Sequence, residues 1–260
     1  MGILNVTPDS FYKSSRVNSI DDILGRAQQL ISEGATCLDV GGYSSRPGAD
    51  DVPEEEELRR VVEPIRHLRA AFPGVIISID TFRSKVAELA VRAGADLIND
   101  ISAGHLDSRM YDLVADLKVP YIGMHMRGTP QDMKKKTDYD DLVGEVIRYF
   151  SEVQDQLYRR GVSDLIIDPG FGFAKDLDQN YHLLCHLHQL KQLLDCPMLV
   201  GVSRKSMIFR LLDINPDESL NGTTVLNTIA LQQGADILRV HDAGAAMEVV
   251  RLTQKLKESR

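Results

Sequence analysis

The chain has 260 residues, of which 43% are hydrophobic and 26% charged, with a formal net charge of −8. That length and balance fit one globular domain with its own core and exclude a disordered or fibrous chain. The acidic balance excludes a general nucleic-acid binder, no apolar run reaches the roughly 20 residues of a membrane-spanning helix, and three cysteines far apart in sequence build neither a disulfide framework nor a zinc site.

The first apolar run, Gly2–Val6, predicts a strand. Ile20, Ile23, Leu24, Ala27, Leu30 and Ile31 then fall on one helical face, with Ser19 as the expected N-cap. Residues 34–40, GATCLDV, read as a glycine C-cap followed by a buried strand that ends at Asp39. The acidic run Glu54–Glu57 predicts the first turn of the next helix, where negative charge suits the helix dipole. Val75–Ile79 predicts a third strand, followed at once by Asp80. Val86, Leu89, Ala90 and Ala93 predict a helix before Gly94, and residues 94–100, GADLIND, repeat the glycine-then-strand pattern. Pro120–Met124 predicts a fifth strand, and Arg127–Asp138, with Lys134–Lys136, a mobile solvated loop. Residues 161–168, GVSDLIID, predict a sixth strand, Met198–Val202 a seventh, and residues 234–240, GADILRV, an eighth. Eight apolar runs alternating with helical segments imply parallel βα units. The expected fold is α/β, a single-domain (β/α)8 TIM barrel spanning residues 1–260, with an open doubly wound sheet as the alternative.

In such a barrel, polar residues at the C-terminal strand ends converge on one mouth. Asn5, Asp80, Asn99, His125, Asp168, then Ser203, Arg204 and Lys205, then Arg239 and His241, occupy those places. Any one of them reads equally well as a loop cap; one at nearly every strand end reads as a site. Asp80, Asn99 and Asp168 suit a flat heterocycle with N–H donors along one edge, because a carboxylate accepts two parallel N–H bonds. Lys205, Arg239 and His241 suit a phosphorylated ligand, with Asn5 as a neutral oxygen for Mg²⁺. The scattered His105, His182, His186 and His188 read as surface or packing residues, not metal ligands.

GILNVTPDSF, SIDTF, IND, MHMRGTP, DPGFGF, GVSRKSMI and RVHD occur in this order from Gly2 to about Leu252. Together they resemble the dihydropteroate synthase family. The resemblance implies a transferase of folate biosynthesis. It would join 7,8-dihydropterin-6-ylmethyl diphosphate to 4-aminobenzoate, release pyrophosphate and be blocked by sulfonamides. It implies that Asp80, Asn99, Asp168 and Lys205 bind the pterin, that Asn5 holds Mg²⁺, and that Arg239 and His241 hold the diphosphate beside it. Ser45, Arg46, Pro47, Phe173 and Ser206 would border the aminobenzoate. Lys205, Asp168, Arg239 and His241 are the expected catalytic set. A homodimer is expected from the resemblance. A cytoplasmic location is expected from the cysteine usage and from an opening without the basic and apolar regions of a secretory signal. The implied partners are small molecules, with no nucleic acid and no membrane.

The chain departs from the common family pattern in two loops. TPDSFYKSS stands where TPDSFSDGG is usual, placing Lys13, Ser14 and Ser15 at an aspartate and two glycines. GGYSSRPG stands where GGESTRPG is usual, placing Tyr43 at a glutamate. The sequence given also begins at the first strand, where many relatives carry an N-terminal hairpin. Two other functions stay open at this level. One is a pterin-dependent methyltransferase, which has no use for Lys205, Arg239 and His241. The other is a pterin-binding barrel without turnover.

Overall fold

The computed structural model describes residues 1–6, 20–43 and 51–259. Six strands, β1 (Gly2–Asn5), β2 (Cys37–Gly41), β3 (Ile76–Asp80), β4 (Leu97–Asp100), β5 (Tyr121–Met124) and β6 (Leu165–Asp168), pair in chain order and in parallel. Two more, β7 (Leu199–Val200) and β8 (Ile237–Leu238), pair with each other. Parallel bridges between Ile167 and Met198 and between Gly2 and Val240 join the two sheets on both sides. At the second seam Ile3 N–H donates to Val240 O at 2.9 Å and Val240 N–H to Met1 O at 3.0 Å. The sheet closes on itself, which excludes the open doubly wound alternative and fits the expected barrel. The closing strands are shorter than their apolar runs suggested, two residues each.

Ten helices of the described chain cover the barrel: α1 (Ile20–Ser32), α2 (Glu54–Ala71), α3 (Ser84–Ala93), α4 (Met110–Leu117), α5 (Leu142–Tyr158), α6 (Leu177–Cys185), α7 (Leu187–Leu194), α8 (Ser206–Leu212), α9 (Leu220–Gln232) and α10 (Ala243–Glu258). The sequence repeat has a local cause. Gly34, Gly94, Gly161 and Gly234 all have φ between 77° and 123°, a region glycine enters without a Cβ penalty. After each, the next N–H reaches back five residues: Ala35 to Leu30, Ala95 to Ala90, Val162 to Leu157 and Ala235 to Ala230. These are Schellman stops, which turn the chain sharply into the following strand. Ser19, the expected cap of α1, lies outside the described residues.

Strand alternation sorts the core into layers. Leu38, Val40, Ile77, Ile79, Ile98, Tyr121, Leu165, Ile167, Met198 and Val200 join the main cluster with the helices. The opposite parity fills the barrel: Cys37, Leu97, Ile122 and Leu199, with Met1, Ile166 and Ile237, form an apolar floor. At the other end Ile101, Met124, Met126, Met133 and Ala174 pack with Phe82, Leu106 and Phe173 in a small cluster among the βα loops.

One loop expectation changes. Arg127–Asp138 is not simply a solvated loop. Met133 is buried in that loop cluster and Arg127 is ion-paired with Glu145 and lies 3.7 Å from the Tyr139 ring centroid, while Lys134–Lys136 are exposed. The acidic run does open α2, but Glu57 is fully buried and accepts from Thr81 Oγ1 at 2.6 Å. Arg83 pairs with its other oxygen. Burial pushes the Glu57 carboxyl up, and the bonds from Thr81 and Arg83 oppose that.

Candidate active site

The parity that buries Cys37, Leu97 and Ile166 at the floor puts Asp39, Asn99 and Asp168, two residues further along each strand, on the same interior side. Asp80, Arg239 and Asn5 follow the same rule on β3, just past β8 and on β1. Gly41 and Gly201 share that parity. A Cβ on Gly41 would lie 3.5 Å from Asp80 Oδ2 and 3.7 Å from Asn5 Oδ1, and one on Gly201 would lie 3.8 Å from Arg239 Cβ. Glycine at these two places keeps space among the polar groups.

Arg239 is the hub. Its Nε donates to Asp39 Oδ2 at 2.6 Å and its Nη2 to Asp80 Oδ2 at 2.7 Å. Asn99 Nδ2 donates to the same Asp39 oxygen at 3.0 Å. Asp39 is completely buried, and its Oδ1 has no hydrogen-bond partner among the described residues. Burial works against the Arg239 guanidinium, but Asp39 and Asp80 overcome it and hold the group firmly charged. Burial also pushes Asp80 up, against the pull of Arg239. The acidic set and the cationic set, expected apart, meet at Arg239, which is bonded to two of the carboxylates.

Asp168 stands near this network at the end of β6. Its Oδ1 accepts from Gly170 N–H at 2.8 Å, and burial raises its carboxyl while Lys205 opposes. Lys205 stands at the N-cap of α8, donates to Phe171 O, and its Nζ lies 4.8 Å from the Phe173 ring centroid. Burial lowers its pKa to about 8, with Asp168 acting to raise it. Ser206 follows as the first residue of α8.

His241 is set beside this network by the β7 loop. Its Nδ1 lies 3.0 Å from Ser203 Oγ, and its backbone N–H donates to the same oxygen at 3.2 Å. Arg204, one residue before Lys205, turns away to Asp242 and Asp217. Ser45, Arg46 and Pro47, and also Lys13, Ser14 and Ser15, lie outside the described residues. Tyr43 is buried. Its hydroxyl accepts from Gln131 Nε2 at 3.0 Å, its ring meets Phe82 edge-on at 5.2 Å, and Arg83 lies 5.4 Å from its centroid. His105 stacks on Tyr149 and His182 sits against His186; no trio of His, Cys, Asp or Glu arranged for a metal occurs among the described residues.

Sequence reasoning passed over three groups. Asp39 was visible as a strand-end acid, and its parity with Asp80 and Asn99 was the signal that it faces inward. Glu57 was hidden in a run of four glutamates. Lys175 comes two residues after DPGFGF, past Ala174, and nothing local to it announces that it is buried.

Over residues 1–241 the chain matches the family described as pterin binding enzyme. It is 44% identical to the dihydropteroate synthase of Synechocystis sp., covering 98% of this chain and 89% of that protein. It is 43% identical to the dihydropteroate synthase of Escherichia coli K12, covering 100% and 93%. Among solved structures, a Yersinia pestis dihydropteroate synthase in a sulfonamide drug complex superposes with a TM-score of 0.93 at 40% identity, covering 100% of this chain and 93% of that one. A Xanthomonas albilineans dihydropteroate synthase with 4-aminobenzoic acid gives 0.92 at 41% identity, covering 98% and 92%. The Xanthomonas enzyme in complex with 7,8-dihydropteroate gives 0.88 at 38%, again covering 98% and 92%.

Proposed function

The chain belongs to the pterin-binding dihydropteroate synthase family, and from that premise we infer that it condenses 7,8-dihydropterin-6-ylmethyl diphosphate with 4-aminobenzoate to 7,8-dihydropteroate and pyrophosphate. It acts as a transferase of folate biosynthesis and a sulfonamide target. The observation that carries this reading is the single network in which Arg239 ties Asp39, Asp80 and, through Asp39, Asn99 on the inner face of the barrel, beside Asp168 and Lys205.

Asp168 and Asn99 face the ring edge of the pterin, Asp168 accepting its N–H groups and Asn99 completing the hydrogen-bond pattern. Lys205 meets the ring's oxygen and nitrogen from the loop side. The carbon that bears the diphosphate is conjugated to the ring, so its C–O bond ionises first. The bonding pair leaves with the diphosphate oxygen, and the carbocation delocalises into the pterin. Asp39, Asp80 and Asp168 favour that positive ring electrostatically. Arg239 and His241 stabilise the departing anion. The aniline nitrogen then forms the new C–N bond and loses its proton. Being nucleophilic at neutral pH, it needs orientation more than a general base. Phe173 and Ser206, with Ser45, Arg46 and Pro47, orient the aminobenzoate. Lys205 acts as a charge between the two substrates, not as a covalent nucleophile, because neither substrate offers a carbonyl for a Schiff base.

Mg²⁺ fits the donors present. Asn5 Oδ1 and Asp80 Oδ2 both border the space above Gly41. A hard cation that keeps most of its waters and rides on a diphosphate needs little more than one such oxygen from the protein. Asn5 would hold the ion, whose chemistry is to neutralise the leaving diphosphate.

The reading extends to a cytoplasmic homodimer. The exposed Leu211, Leu212, Leu220, Val225, Leu252 and Leu256 on α8, α9 and α10 support a partner surface. Cys37, Cys185 and Cys196 are free thiols, which suits a reducing compartment.

Pyrophosphate release tests the function. It should require the pterin diphosphate and Mg²⁺ and yield coupled dihydropteroate only with 4-aminobenzoate. Pterin binding without release would leave a binding barrel, and the absence of both would remove the reading.

A further inference from the structure

The β6–α6 loop, Pro169–Lys175, has an unusual backbone. Gly170 (φ 74°), Gly172 (φ 78°) and Ala174 (φ 48°) are all left-handed, at every second position of the loop. Gly170 also presses so close to β5 that a Cβ there would sit 2.0 Å from His125 O. This loop carries the groups that meet Lys205: the Phe171 carbonyl, which accepts from Nζ, and the Phe173 ring, 4.8 Å from it. Gly170 N–H in turn holds Asp168 Oδ1 at 2.8 Å. A backbone of this kind persists only where its surroundings over-determine it.

The structure supplies two fasteners. Asn180 on α6 accepts from Gly172 N–H at 2.6 Å and donates to Lys175 O at 3.2 Å. The second is the Lys175 side chain, only 7% exposed. Its Nζ donates to Gly170 O at 3.0 Å and Phe173 O at 3.1 Å, and lies 2.9 Å from His125 Nδ1. An ammonium has three N–H groups, and three acceptors are arranged around this one. No carboxylate is bonded to it among the described residues, and burial brings its pKa down to about 7, with Asp168 acting to raise it. Asn180 shows that a neutral side chain can fasten this loop; a lysine spent in the same place answers a different need, three bonds from one atom.

We propose that Lys175 is a positioning residue for the aminobenzoate half of the site, pinning the β6–α6 loop through the Gly170 and Phe173 carbonyls so that the Phe173 ring is held against the second substrate. The ammonium itself stays behind the loop and touches neither substrate. The proposal rests on the synthase reading above.

The test uses the full chain and begins with the wild type, whose failure to form dihydropteroate from the pterin diphosphate, Mg²⁺ and 4-aminobenzoate would end that reading and this proposal together. With the wild type active, Lys175→Met is compared with Lys175→Arg by steady-state kinetics, calorimetric titration of the pterin and thermal melting. Removing the donors should raise KM for 4-aminobenzoate by about tenfold or more while pterin affinity stays within about threefold, because misplacing an orienting group costs about that much and the pterin carboxylates sit on strands. Lys175→Arg, which keeps charge and donors, should recover part of the loss. A lysine that serves stability alone would lower the melting temperature and leave KM of the folded enzyme unchanged, and that result would overturn the proposal. So would equal losses for both substrates. Should Lys175→Met not fold, Lys175→Gln, with two N–H groups, takes its place: a selective rise in KM for 4-aminobenzoate supports the proposal, and an unchanged KM or equal losses overturn it.

Discussion

The two halves of the site are built differently. The half formed by Asp39, Asp80, Asn99, Asp168 and Arg239 sits on strands or one residue past a strand, and its geometry follows from sheet register. The half formed by Phe173, Lys205, Ser206 and His241 sits on the loops after β6, β7 and β8, and its placement depends on individual side-chain bonds. Neighbouring strands cannot slip by one residue without turning every side chain to the other face. A loop has no such constraint and keeps its shape only through bonds such as those of Lys175 and Asn180. The strand half is therefore ready for the planar pterin, whereas the loop half is where turnover and drug response are most easily altered.

Mutating the strand half should do the greatest damage. Asp168→Ala removes the carboxylate proposed to meet the pterin edge and should weaken pterin binding by about 2–5 kcal/mol, near abolition in a calorimetric titration. Normal binding would take Asp168 out of the site. Asp39→Ala leaves Arg239 with one carboxylate fewer in a buried setting, and breaking such a pair costs about 3–5 kcal/mol of stability. Urea unfolding should show the loss alongside a fall in kcat/KM. A stable, active variant would mean that Asp39 is dispensable to the network.

The loop half should respond more finely. In the proposed role Lys205 meets the pterin as a cation, and burial brings its pKa to about 8. It is protonated below that value and neutral above it, so kcat/KM for the pterin diphosphate should fall as pH rises through about 8. Since arginine stays charged throughout, Lys205→Arg should lose this limb while lowering the plateau. A limb that persists in the arginine variant would belong to another group. The smallest effect is expected from Tyr43→Phe, which deletes one hydrogen bond with Gln131, worth about 0.5–1.5 kcal/mol, and keeps the ring on Phe82. Thermal melting should fall slightly with pterin binding untouched; a large change in pterin affinity would move Tyr43 into the strand half.

Much of this was legible in the amino-acid order because it is local. The glycines at 34, 94, 161 and 234 end helices whatever surrounds them, and apolar runs of four or five residues become strands buried on both sides. Asp80, Asn99 and Asp168 were identifiable because they fall at the C-terminal ends of those runs. The closure at β7 and β8 was legible in kind but not in length, since those strands pair over two residues each.

What the order of residues could not supply was partnership. Four consecutive glutamates look alike until Thr81 and Arg83, from another βα unit, bury the fourth. Arg239 reads as a free cation for a phosphate until Asp39 and Asp80, 200 and 159 positions away, come within bonding distance. Lys175 reads as a surface lysine until Gly170, Phe173 and His125 gather about its nitrogen. Helix stops and strand parity arise from forces between near neighbours and are written into the chain. The charge state, burial and orientation of a side chain depend on whatever the fold brings against it, and only the closed barrel decided that.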